Sequence, residues 1–237
     1  MLNLITVSQM VIFLDAVGTL FGVKGGVGYA YSVVAARFGV DCDRTELDQA
    51  FIAAFRSSPP LAFPDLALEE IPEAEYRWWY EVALRTFAKT GDLARFRDFD
   101  GFFKELFGYF ATAEPWFVYE DTVPALERWR SQGVELGIIS NFDSRLYSVL
   151  RELGIDGYFS SVTISTEAGS AKPDPQIFLY ALTKHPNATT ALHIGDSYLE
   201  DYQGAIASGL QAVWLDREGK GQEYEARIND RLLSLEL

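Results

Sequence analysis

The chain has 237 residues, 49% hydrophobic and 14% aromatic, enough for one large domain or a core with one insertion. Lys and Arg total 20 against 34 Asp and Glu, a net charge of −14, which argues against nucleic acid and anionic membrane surfaces as general partners and leaves a small anionic substrate open. A single cysteine, Cys42, excludes an internal disulfide, and His185 and His193 are too few for a histidine-rich metal centre. The first ten residues carry no signal-peptide pattern and no apolar run reaches membrane length, so the expected location is cytoplasmic.

The first element is an apolar run over 11–15, read as a buried parallel strand. It ends at Asp15, and Asp15-Ala16-Val17-Gly18-Thr19-Leu20 follows as a sharp turn. Residues 24–121 then hold almost no strand pattern. Apolar spacing near three and four predicts helices over Tyr29–Phe38, Thr45–Phe55, Ala74–Ala88 and Phe102–Phe110. Phe102, Phe103, Leu106, Phe107 and Phe110 fit one buried helix face, whereas Trp78, Trp79 and Tyr80 cannot share one; packing is the expected role of this aromatic load. Pro59-Pro60 and Phe63-Pro64 mark an internal loop.

From residue 122 the pattern alternates. Strand-like runs at 134–140, 161–165, 191–195 and 211–215 interleave with helical segments at Pro124–Gln132, after Asp143 as far as Gly154, at Pro175–Thr183 and at Glu200–Ala207. Asp143 reads as a helix N-cap. The expected fold is α/β: a doubly wound, Rossmann-like parallel-sheet core from 1–23 and 122–237, with an inserted helical cap over 24–121.

Four segments fall at strand ends or helix starts in this arrangement: Asp15 to Thr19, Ser140-Asn141, Lys172-Pro173-Asp174-Pro175, and Gly195-Asp196-Ser197-Tyr198-Leu199-Glu200-Asp201. Parallel strands bring their C-terminal ends to one edge, where open α/β sheets bind ligands. Asp15 and Asp196 are hard oxygen ligands suited to Mg²⁺, and Ser140 and Lys172 can hold a phosphate oxygen. A carboxylate such as Asp15 can also act as a nucleophile. Each segment alone also reads as a turn or cap.

As a set, the four segments resemble the motifs of the haloacid dehalogenase-like hydrolase superfamily over residues 11–23 and 122–216. Ser140 to Leu146 with Lys172 to Pro175 is most similar to the branch called domain-containing protein 3. The resemblance implies a helical cap, Asp15 as nucleophile and metal ligand, and Ser140 and Lys172 as catalytic groups that hold the transferring phosphoryl. Thr19 and Asn141 are expected beside them at the substrate. It implies a Mg²⁺ site from Asp15, Asp196, Asp201 and the backbone carbonyl of Val17, acting on a small phosphorylated metabolite.

The departure is Val17. Phosphatases of the superfamily carry a second Asp there, which protonates the leaving group and activates water; Val17 does neither. Dehalogenases also lack that Asp, but they need no metal, and the Asp196–Asp201 segment resembles the metal-binding version. Three readings follow: a phosphatase with limited turnover, a 2-haloacid dehalogenase-like enzyme, or a catalytically reduced binding member. Gly22 to Gly28 is glycine-rich yet fits neither phosphate-loop order, so a hinge role is expected there.

Overall fold

The computed structural model describes residues 9–217, 219 and 228–235. Strand β1 (Met10–Leu14) is apolar throughout and lies mid-sheet. It pairs in parallel with β4 (Glu135–Ser140) on one side and β6 (Thr190–Gly195) on the other. The six-stranded sheet is completed by β5 (Ser161–Ile164), β7 (Gln211–Leu215) and β8 (Ile228–Asn229), in the order β5-β4-β1-β6-β7-β8, every pairing parallel. Side chains alternate along β1. Ile12 and Leu14 face one apolar cluster, containing Leu126 and Trp129 of α5 (Thr122–Ser131) and Leu146 and Val149 of α6 (Arg145–Glu152). Val11 and Phe13 face another, with Phe178 of α8 (Pro175–Thr183), which follows the short α7 (Ser165–Ala168), and Ala205 of α9 (Gly204–Ala207). Both faces of the sheet are therefore covered, which accounts for the continuous apolar strands.

Between β1 and β4 the chain leaves the sheet. Short strands β2 (Phe21–Val23) and β3 (Trp116–Val118) pair antiparallel where it departs and returns. The excursion holds α1 (Val27–Arg37), α2 (Arg44–Arg56), α3 (Ile71–Thr90) and α4 (Phe99–Tyr109), packed around Leu47, Phe87, Phe102 and Leu106. At three residues each, β2 and β3 are too short for periodicity to reveal. Each helix starts earlier than apolar spacing predicts, and in α2 and α4 the reason is a polar side chain that caps the first turn. Asp43 accepts the Thr45 and Glu46 amides ahead of α2, and Asp98 accepts the Gly101 amide ahead of α4. The buried face of α4 is narrower than expected: Phe102, Phe103 and Leu106 are buried, while Phe107, on α4, and Phe110, just past its end, are only half-buried.

Trp78, Trp79 and Tyr80 splay in three directions. Their polar atoms donate to Pro59 O, to the Asp143 carboxylate and to the Asp100 carboxylate at 3.0, 2.6 and 2.7 Å. Gly26 and Gly28 open α1, and the Gly28 amide donates to Asp48 of α2 at 2.6 Å. A Cβ on Gly28 would collide with the Arg44 carbonyl, so this glycine serves close helix–helix packing.

The segment expected as one helix over 200–207 is two. Tyr198–Gln203 forms a π-helical turn before α9 begins. Its Tyr202 amide reaches Ser197 O at 3.2 Å, and the Asp201 carboxylate folds back to accept the Ser197 amide at 2.9 Å. Such widened turns cluster at functional sites.

Candidate active site

Parallel register brings the sequence-predicted residues to one edge. Leu14 aligns with Ile138 of β4 and Ile194 of β6, so Asp15, Ser140 and Gly195 end neighbouring strands. The Asp15 amide continues the ladder to Ile194 O at 2.9 Å. Lys172, buried on the loop ahead of α8, donates its Nζ to Asp15 Oδ1 at 2.7 Å and to Asp201 Oδ1. Ser140, buried at the end of β4, stands close enough to the Asp15 carboxylate to favour its charged form. One carboxylate oxygen each from Asp15, Asp196 and Asp201 lies within 4.8 Å of the others.

Two glycines make this crowding feasible. Gly18 has φ +88°, and a Cβ there would sit 2.5 Å from the Asp196 carboxylate. A Cβ on Gly195 would overlap the Asp201 carboxylate. Neither position tolerates a side chain while the acids remain in place.

Asn141 is placed as a clamp. Its Oδ1 accepts the Lys172 amide at 2.7 Å, and its Nδ2 donates to Lys172 O at 2.9 Å and to Glu200 at 3.2 Å. Thr19 is buried, with its hydroxyl 3.5 Å from Asp196. Neither Asp196 nor Asp201 caps the following turn; the Ser197 hydroxyl does so, accepting the Glu200 amide. Asp143 does accept the Arg145 amide at 2.9 Å, although Ser144 is the residue at the helix boundary.

The electrostatics are those of an acid-rich site around one cation. Burial raises the Asp15 carboxyl above its usual range; the nearby Lys172 ammonium opposes that shift without cancelling it, and Asp201 adds to it. Burial also works to raise Asp201, but Lys172 and His193 outweigh it and hold this carboxyl well below the ordinary value. Burial would lower Lys172, yet Asp15 and Asp201 raise it, so it stays charged. Asp196 keeps an exposed outer edge, while desolvation of its carboxyl, then Asp15 and Asp201, push it up to about 8. Glu200 is raised for the same first reason.

Three supporting residues escape sequence reasoning. His193 is fully buried in β6, and its Nε2 lies 2.8 Å from Asp201 Oδ1. Burial lowers its pKa, so the neutral ring donates one hydrogen bond that orients Asp201. A lone histidine in an apolar strand gives no signal of that partner. Arg217 donates to Thr19 O at 2.8 Å and pairs with Asp121, holding the turn after β1. Glu75 of α3 is buried and accepts the Ser144 amide at 2.9 Å and the hydroxyls of Ser144 and Thr166. Together with Trp79 on Asp143, this bonds the helical region to the sheet region.

Beside the acids lies an apolar cavity of about 220 Å³, walled in part by Val17, Tyr31, Phe51, Trp79, Phe107 and Trp116. It meets the acid site at Val17 and Asn141. No Asp, Glu, His or Lys is among the described residues that line it. Its one charged wall residue, Arg145, is engaged. It donates to both Asp143 oxygens and to Phe107 O, and it lies 3.9 Å over the Phe107 ring. The aromatic load is thus not packing alone.

The donor set suits a hard divalent cation: clustered carboxylates carry more negative charge than Lys172 offsets, and two glycines keep the cluster compact. The haloacid dehalogenase-like hydrolase model matches residues 9–209, and the chain belongs to that family. Human haloacid dehalogenase-like hydrolase domain-containing protein 3 is 34% identical over 199 residues, covering 84% of this chain and 78% of its own. Among solved structures, the magnesium-bound YfnB of Bacillus subtilis aligns with TM-score 0.69 at 16% identity, covering 95% of this chain and 96% of that one. A phosphatase from Thermococcus onnurineus gives 0.61 at 23%, with 94% of each chain covered. The L-2-haloacid dehalogenase of Xanthobacter autotrophicus gives 0.61 at 19%, covering 90% and 79%. The fold therefore hosts both chemistries, and the site must choose between them. Among the described residues, no helix is long and apolar enough to cross a membrane.

Proposed function

We propose that the protein is a Mg²⁺-dependent phosphatase of small phosphorylated metabolites, acting through an aspartyl-phosphate on Asp15. The observation that carries this reading is the cluster of buried Asp15 and Asp201 with the solvent-edged Asp196, beside Lys172 at the sheet's C-terminal edge. Asp15, Asp196, Asp201 and the Val17 carbonyl would hold the metal, which when bound offsets charge on the phosphoryl oxygens. Lys172 and Ser140 hold the phosphoryl group against Asp15, and Asn141 with Thr19 shapes the substrate's entry. Residues 24–121 form the cap and 1–23 with 122–237 the core, in a cytoplasmic enzyme.

Asp15 attacks phosphorus and the ester oxygen leaves with the bonding electron pair. Val17 supplies no proton to that oxygen, so the first step favours groups that leave as stable anions. Water then displaces the Asp15 carboxylate from phosphorus, again without a base at position 17. Loss of a general acid–base typically removes about 10²–10⁴ in rate.

Val17 also favours a second reading, dehalogenation, because a halide leaves unprotonated. The acidic cluster counts against it, since a second and third carboxylate serve no purpose around a carbon-centred displacement. Metal dependence separates the two. Phosphate release should rise with Mg²⁺ and stop on chelation, and chloride release from 2-chloropropionate without metal would favour the second. Ligand binding with no turnover on either substrate would favour the binding role. Inhibition by vanadate in Lys172→Ala tests the anion contact: unchanged inhibition would return Lys172 to a structural role.

A further inference from the structure

We propose that the substrate is a phosphate monoester of a phenol, whose ring occupies the apolar cavity while its phosphate sits on Asp15 and Lys172. This rests on the phosphatase reading above. Two independent observations point the same way, one steric and one chemical.

The steric observation is the cavity. An apolar cavity of about 150 Å³ stays dry and admits benzene. This one, at about 220 Å³, has room for a ring with a substituent or for a fused pair of rings. Its walls are rings and branched aliphatic groups, and Arg145 is already satisfied by Asp143 and Phe107. A hydrated sugar or triose would strip its hydroxyls of water there and find few partners. An aromatic body loses nothing and gains edge and face contacts with Tyr31, Phe107 and Trp116.

The chemical observation is the missing acid. Val17 lies where the cavity meets the acid site, so the leaving oxygen departs toward an apolar wall. The cavity holds no carboxylate or imidazole among its described residues to take over the proton transfer. Burial raises the Tyr31 phenol above its ordinary value, which makes it a weak acid. The buried cap carboxylate, Glu75, is committed to Ser144 and Thr166. An alkoxide would leave poorly under these conditions, whereas a phenolate is stable enough to leave unprotonated. In balance, an Asp15 oxygen bonds phosphorus, the phosphorus–aryl oxygen bond breaks, and the electron pair leaves on the phenolate, which takes a proton from solvent afterwards. Water then attacks phosphorus, Asp15 is regenerated, and inorganic phosphate carries the oxygen away as the proton passes to solvent. Val17 thus replaces an acid with a contact surface for the leaving group.

The test measures kcat/KM with Mg²⁺ for 1-naphthyl phosphate, glycerol 3-phosphate and acetyl phosphate. Acetyl phosphate has a good leaving group and no ring. We expect 1-naphthyl phosphate to exceed glycerol 3-phosphate by about 10³-fold. Val27 is a half-buried wall residue, and Val27→Trp fills the cavity. It should cut the preference for 1-naphthyl over acetyl phosphate about tenfold, with thermal melts and acetyl phosphate turnover reporting that the variant is folded. Should Val27→Trp not fold, Phe51→Leu, which removes a wall ring, should lower the same ratio. Asp15-dependent turnover of acetyl phosphate with no preference for the naphthyl ester overturns this inference and leaves the phosphatase reading standing. No phosphate release from any of the three overturns both.

Discussion

The acid site and the aromatic cavity touch at Val17 and Asn141, yet opposite physics builds them. The acid site is a set of charges held rigid by short polar contacts, with Lys172 bridging Asp15 and Asp201 and His193 fixing Asp201 from behind. The cavity is shaped largely by rings on four helices that meet through apolar and aromatic contacts, and Arg145 is stacked into its wall. The first arrangement specifies a reaction, because orientation and charge act on the phosphoryl group. The second specifies a substrate, because shape and desolvation act on whatever carries the phosphate. Val17 belongs to both, and on the proposed reading the residue that would assist departure of the leaving group instead receives it.

The division of labour can be broken from either side. Asp15→Asn should abolish hydrolysis of every phosphate substrate, by at least about 10³-fold, while melting cooperatively like the parent. Full activity in that variant would remove the nucleophile from the account. Asp196→Ala should weaken Mg²⁺ binding by about tenfold or more in calorimetric titration, since ligand loss costs at least as much as loss of a supporting group. Equal affinity in both proteins would contradict the metal site.

On the cavity side, Val17→Asp should sharpen the contrast. The kcat/KM of an alkyl phosphate should rise about 10²-fold, whereas that of an aryl phosphate should gain little because its leaving group needs no proton, its kcat alone rising as the new carboxylate activates water in the second step. A folded variant with no gain on either would mean that Val17 is not a simple loss of the acid. The smallest effect falls on the joint between the regions. Trp79→Phe leaves the buried Asp143 carboxylate without its indole donor. It should destabilise the protein by about 1–3 kcal/mol in urea unfolding, and no loss would indicate that Arg145 alone satisfies Asp143.

These two regions also differ in how much the sequence reveals. Asp15, Ser140 and Asp196 are polar interruptions at the ends of apolar runs, so the strand pattern itself points to them, and Lys172 stands where a proline-marked helix opens. Parallel register then does the rest, bringing positions more than a hundred residues apart to one edge. The core strands are readable for the same reason, since burial on both faces makes them continuous. The cavity has no such punctuation. Phe102 and Leu106 stand one helical turn apart, yet the first is enclosed in the helical cluster and the second also lines the cavity; nothing in their spacing separates those fates. His193 is equally silent, because its value lies in a neighbour eight residues on that only the π-helical turn brings back to it. The Glu75 joint is invisible for a similar reason: its partners are 69 and 91 residues away, and a glutamate on a helix reads as solvated until tertiary packing buries it.

The measurement that reaches the centre of the account is a rapid-mixing experiment with 1-naphthyl phosphate and Mg²⁺, followed by acid quench and peptide mass mapping. Without a base at Val17, attack of water on the aspartyl-phosphate should be the slow step. The account therefore predicts a burst of naphthol near one equivalent of enzyme, and a phosphoryl group on the peptide that carries Asp15. Steady release of naphthol with no burst, and no phosphoryl group on that peptide, would contradict it.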